Sequence, residues 1–119
     1  MKRIGLAAAA VLLLSCGIAQ ADERVTTITP DMALQLRAHS ASHGTVGARK
    51  MQMLYAPTLE DGCTSVYLYA DDDIVMYATL MKAVTIKSTF VLIYDTAPAR
   101  RGPWGDPLSC PLTSVTIKL

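Results

Sequence analysis

Two histidines, His39 and His43, stand four residues apart, the spacing at which imidazoles on one helical turn can share a metal ion. Ser40, Ser42 and Gly44 argue against a helix there, and no glutamate follows His39 in the zinc-protease pattern. The pair therefore reads as part of a solvated loop, with no metal assigned to it. Asp71-Asp72-Asp73, with Glu60 and Asp61 nearby in sequence, gathers hard oxygen ligands, yet the EF-hand pattern with its central Gly and terminal Glu is absent. Helix capping is the reading that run takes. Hydrolytic chemistry needs a nucleophile, a base and an orienting group, and no Gly-x-Ser-x-Gly elbow is present. The 10 acidic residues offer many carboxylate pairs for glycosidase work, and nothing singles one out. No catalytic, metal or cofactor set is assigned.

Recognition has a better candidate. Trp104 is bracketed by Pro103 and Gly105 and preceded by Arg100-Arg101-Gly102. An aromatic face with guanidinium donors on a tethered loop suits a sugar, an acidic group or a protein partner. Arg100, Arg101 and Trp104 form the candidate surface, with Tyr67 or Tyr69 as an extension. The rival reading has Trp104 folding back to cover the core.

The chain must place that loop in an exported domain. Lys2 and Arg3 precede an apolar run from Ile4 to Leu14, and Ala19-Gln20-Ala21 is a small-x-small cleavage pattern before Asp22-Glu23. A run of roughly 11 residues falls well short of the about 20 that span a bilayer. The expected division is a signal peptide over 1–21, cut between Ala21 and Asp22, and one domain over 22–119, periplasmic or secreted. Leu13-Leu14-Ser15-Cys16-Gly17 supports a second reading, a lipoprotein anchored through Cys16. Losing Lys2 and Arg3 takes Lys+Arg from 11 to 9 against 10 Asp+Glu, a formal charge of −1, which gives no electrostatic case for nucleic acid.

Without the leader two cysteines remain, Cys63 and Cys110. In an oxidising compartment they form a single disulfide. The loop of roughly 48 residues is worth about 4 kcal/mol on the chain-entropy argument. Two unpaired buried thiols are the alternative.

The elements follow from periodicity. Arg24–Thr29 is rich in β-branched residues and predicts a strand. Met32, Leu34, Leu36 and Ala38 alternate with Ala33, Gln35 and Arg37, which predicts a hairpin across Pro30-Asp31; the rival reading takes Thr29-Pro30-Asp31 as the start of a short helix over 30–38. Residues 38–47 form a loop. Met51, Met53 and Tyr55 alternate in a strand over 49–55, and residues 64–69 are a central strand. Ile74, Tyr77, Leu80, Met81 and Val84 make an apolar stripe, predicting a helix over 73–87. Thr89–Asp95 is apolar on both faces, as in a strand covered on both sides. A loop over 96–111 and a last strand over 112–119 complete the chain. The class is mainly β with one helix (α+β).

Strands before and after a single helix are the element order of an OB-like β-barrel of five to six strands. The stretches Asp73–Ala83, Thr89–Asp95 and Cys110–Ile117 resemble small exported single-disulfide domains similar to the B subunits of pentameric AB toxins, including those of subtilase cytotoxin and pertussis toxin. The resemblance covers roughly 63–118 and implies a small barrel able to form a homo-oligomer or bind glycans. The function expected is an exported noncatalytic binding or interaction domain with a protein or glycan partner. The alternatives are a periplasmic inhibitor or envelope protein acting on a larger enzyme, and a small hydrolase.

Overall fold

A computed structural model describes residues 22–43 and 49–119. The leader, Cys16 and the cleavage junction after Ala21 lie outside the described residues, as does part of the loop expected over 38–47. The elements in chain order are β1 (Glu23–Ile28), β2 (Gln35–His39), β3 (Met51–Tyr55), β4 (Ser65–Tyr69), α1 (Ile74–Thr85), β5 (Thr89–Asp95), a 3-10 turn (Pro98–Arg100) and β6 (Ser109–Lys118). The fold is mainly β with one helix. Among the described residues no helix is long and apolar enough to cross a membrane.

The six strands form one sheet in the order β1-β5-β6-β4-β3-β2. Every neighbouring pair is antiparallel except β4 and β6, which run parallel. The two halves of the sheet are joined by β6. Its start, Ser109–Pro111, pairs with β4, whereas Leu112–Lys118 pairs with β5. The register jumps between Ile93↔Ser114 and Tyr94↔Leu112, so Thr113 is the bulged residue. Its hydroxyl proton is shared between the Glu23 carboxylate (2.9 Å) and the Ile93 carbonyl (3.0 Å), which ties the bulge to β1 and β5.

The hairpin expected across Pro30-Asp31 is not formed, and neither is the rival helix over 30–38. β1 and β2 are the opposite edges of the sheet, so among the described residues the sheet is not closed into a barrel. β1 pairs with β5 instead. The reason is a break of phase: Met32 and Leu34 pack on the core, but Leu36 and Ala38 are exposed, and β2 begins only at Gln35. Thr29–Met32 makes a single turn closed by the Met32 N–H on the Thr29 carbonyl (3.1 Å). The chain then crosses from one edge to the other.

α1 occupies the expected helix with trimmed ends. Leu80 and Ala83 are buried against the sheet, with Met76, Tyr77 and Val84 beside them; Ile74, read as part of the stripe, is 59% exposed. The aspartates do not cap as expected. Asp73 is the N-cap residue but its side chain makes no capping hydrogen bond, and Asp71 and Asp72 pair with Arg49. The C-terminus closes through Ser88 N–H on the Ala83 carbonyl and Lys87 N–H on the Val84 carbonyl, with Lys87 left-handed at φ 52°.

Ile28, Leu54, Val66, Leu68, Leu80, Phe90 and Leu92 fill the core on the helix side. Each large apolar side chain so buried contributes about 1.5–3 kcal/mol towards folding. Cys63 and Cys110 are both buried and joined, their Cα atoms 5.9 Å apart, tying the start of β6 to the chain just before β4. A buried disulfide belongs to an oxidising compartment. Tyr94 adds a polar tie inside the core: its hydroxyl bonds the Thr26 hydroxyl (2.7 Å) and accepts from the Glu60 N–H (2.9 Å).

Candidate functional site

Strand alternation gives the β2–β3–β4 sheet a second face, away from the helix. Leu54, Val66 and Leu68 point into the helix-side core, so their neighbours along each strand point the other way. The register stacks these in rows. His39 stands opposite Met51, which stands opposite Tyr69; Arg37 stands opposite Met53, which stands opposite Tyr67. Met51, Met53 and Tyr67 are buried, and Tyr55, Tyr69 and Trp104 pack on them half-buried. β3 is therefore covered on both sides, and all but its last residue are buried.

What covers this face is the loop between β5 and β6, and its conformation is closely determined. The Asp95 carboxylate, 1% exposed as a residue, accepts from the Ala97 N–H (2.9 Å) and the Arg100 guanidinium (3.0 Å). Arg101 donates through Nε and Nη2 to the Thr96 carbonyl (3.0 and 2.8 Å), through Nη2 to the Asp61 carbonyl (2.7 Å) and through Nη1 to that of Pro107 (3.3 Å). Gly102 is required where it stands, because a Cβ there would lie 2.3 Å from the Asp106 carbonyl oxygen. The loop so held projects Trp104 over the sheet.

Trp104 meets Tyr67 edge-on, with ring centroids 5.1 Å apart, and His39 edge-on at 5.3 Å. Such edge-to-face pairs add about 0.5–1.5 kcal/mol beyond area. The Tyr67 hydroxyl donates to the Arg100 carbonyl (2.7 Å), and burial together with the nearby Tyr69 pushes it up to about 12. Around this floor lie two cations. The Arg49 guanidinium sits 4.0 Å over the Tyr69 ring and pairs with Asp72, which holds it above its ordinary value; Arg37 donates to the Tyr55 hydroxyl (3.5 Å).

His39 is the exception among the polar groups. It is 8% exposed, and its Nε2 is buried with no hydrogen-bond partner among the described residues. An orphaned buried polar group costs about 1–3 kcal/mol. Burial first, then repulsion from His43 and Arg37, lowers its pKa, with Asp106 opposing. The His43 ring stacks on it with centroids 3.9 Å apart. His39 thus ends a strand and lies under Trp104, not in the solvated loop expected of it. Ser40 and Ser42 hydrogen-bond each other (2.8 Å), and no hydrogen bond joins either to an imidazole among the described residues.

The structure separates the three residues read as one recognition surface. Arg101 is a staple of the loop, with its donors on backbone carbonyls. Arg100 is tethered to Asp95 and faces a different concavity, an open groove of about 720 Å³ between the start of α1 and the bend of β6, lined also by Ile74, Val75 and Thr113. Trp104 joins the aromatic face with Tyr67 and Tyr69. The residues that sequence reasoning does not single out are Arg37, Arg49, Met51 and Met53, and it pairs His39 with His43 in a loop rather than placing it on this face. The signal available is the i, i+2 spacing of Arg37 with His39 and of Met51 with Met53, which puts each pair on one side of its strand.

Comparison with known protein families, curated proteins and solved structures found no match for this chain. The site must be read from its own chemistry.

Proposed function

We propose that this chain is an exported, noncatalytic binding domain that recognises a protein or glycan partner with the outer face of β2–β3–β4. The observation that carries the reading is the half-exposed rim of Tyr55, Tyr69 and Trp104 with the guanidinium groups of Arg37 and Arg49 among them. Tyr, Trp and Arg are the residue types that dominate binding energy, because they bring large contact area and donors at small entropic cost. Export is supported by the basic, apolar and small-residue pattern of the leader together with the disulfide. Kinship with toxin B subunits and an OB-like origin of the sheet remain part of this proposal, supported by the single disulfide and the β-rich architecture; a pentamer in light scattering would strengthen them.

The test removes rim residues that do not roof the floor. Arg37→Ala with Tyr69→Ala is expected to abolish capture of partners from a periplasmic extract or on a sugar array, while the melting temperature shifts little. Undiminished capture on both would refute the reading.

A second reading rests on a separate observation. Ile74 and Val75 are 59% and 78% exposed beside the Arg100 groove, an apolar step suited to a protein surface such as an enzyme that the domain inhibits. Val75→Asp would then prevent that docking and leave the aromatic face intact.

A further inference from the structure

Beneath the rim lies a set of soft donors. His39 faces Met51 across the β2–β3 ladder, and Met53 follows two residues later on the same face. The three residues are 8%, 4% and 0% exposed. The His39 Nε2 is shut away from water without a partner among the described residues, while its register partner Met51 and the diagonal Met53, opposite Arg37, carry thioether sulfur, a weak hydrogen-bond acceptor. The hydroxyl of Tyr67, the other buried member of the floor, is already engaged by the Arg100 carbonyl. Above the cluster stands the Trp104 indole.

We propose that His39, Met51 and Met53 bind a soft monovalent metal ion, copper(I), beneath Trp104. Imidazole and thioether are ligands that suit copper(I), whereas calcium and magnesium demand oxygen donors and structural zinc takes four thiolate or imidazole ligands, of which the stacked His39 and His43 supply two at most. With Cys63 and Cys110 locked in the disulfide, methionine sulfur is the soft donor left to the described chain. A single positive charge enters an apolar pocket at far lower desolvation cost than a double one. An indole beside the ion adds cation–π attraction. The ion would also take up the Nε2 lone pair, the buried side-chain atom left without a partner among the described residues. This site lies under the face of the proposed function and goes beyond that reading, adding a small-ion ligand that macromolecular recognition does not require.

The chain from Asp22 onward contains every described element and, oxidised, no thiol, so it is suited to titration with copper(I) under anaerobic conditions against a colorimetric copper(I) chelator, and with silver(I) as a redox-inert probe. One ion per chain is expected, with quenching of the sole tryptophan, Trp104, and shifts of the Met51 and Met53 methyl resonances but not those of Met32 or Met81. Met51→Leu with Met53→Leu keeps the volume, and should weaken binding by more than about 100-fold, the upper limit for loss of an outer-shell partner. His39→Gln should weaken it as well, and Met81→Leu should leave it unchanged. Absence of binding by both ions would overturn the site, as would equal affinity in the double-leucine variant with its fold intact by circular dichroism, or equal binding of zinc. Arg37→Ala with Tyr69→Ala should retain the metal, so failure of macromolecular recognition and failure of this site give different results.

Discussion

The two faces of the β2–β3–β4 sheet are made by alternate residues of the same strands, yet they differ in kind. Towards α1 stand Leu54, Val66 and Leu68, aliphatic side chains locked against Leu80 and Ala83. Towards the β5–β6 loop stand an imidazole, two thioethers and a set of aromatic rings beneath one indole. Polar groups show the contrast best. Gln52, on the helix-side register, is 7% exposed and its amide donates to the Arg37 and Met53 carbonyls, both at 3.2 Å. His39, as deeply buried on the other side, leaves Nε2 unpaired among the described residues. One face is saturated and the other retains unmet chemistry, which is where a binding function is to be sought.

The largest test of that contrast removes packing from the saturated face. Leu80→Ala takes out a side chain that is 1% exposed, and should cost about 3 kcal/mol in urea unfolding, as buried leucine truncations do. Because the core is shared between both halves of the sheet, Trp104 fluorescence and far-UV dichroism should then change in one transition. Trp104→Ala, on the other face, should cost only about 1–2 kcal/mol, since the indole is half-buried and held by a loop whose own hydrogen bonds do not involve its side chain. Equal costs for the two substitutions would mean that the loop-side face is a second structural core, and the contrast would fail.

Much of this architecture was legible in the sequence, and the exceptions have definite causes. The helix, the strands around it and the disulfide follow from periodicity and cysteine count, which are local signals. The edge strand β1 follows as well, but its pairing with β5 and the late start of β2 do not. Met32 and Leu34 look continuous in phase with Leu36 and Ala38, and only the tertiary demand that β2 cross to the far edge separates them. Arg101 reads as a recognition donor because guanidinium groups on loops usually face solvent, but this one satisfies two backbone carbonyls of its own loop, Thr96 and Pro107, and that of Asp61 between β3 and β4. The floor of the site was hidden because Met51 and Met53 give the same alternation whether they fill a core or line a pocket. Only the pairing with His39, a contact across β2 and β3, distinguishes the two.

The subtlest way to sharpen the contrast uses acid. The His39 pKa is lowered in the fold, first by burial and then by His43 and Arg37, with Asp106 acting in the opposite sense. Below its ordinary value of 6.5 the unfolded chain therefore binds the proton more readily than the folded one, so stability rises with pH across this window. The contribution is complete above 6.5 and is lost as the pH falls from there to the lower, folded value, beyond which the loss stops. Urea midpoints measured from pH 7.5 to 5 with a metal chelator present should decline through that range, and His39→Gln should flatten the decline. The buried Gln52 does not titrate and gives the helix-side face no counterpart to this slope. If the variant kept the full pH dependence, the protonation cost would have to lie elsewhere than under Trp104, and the unpaired nitrogen would lose its claim to set the two faces apart.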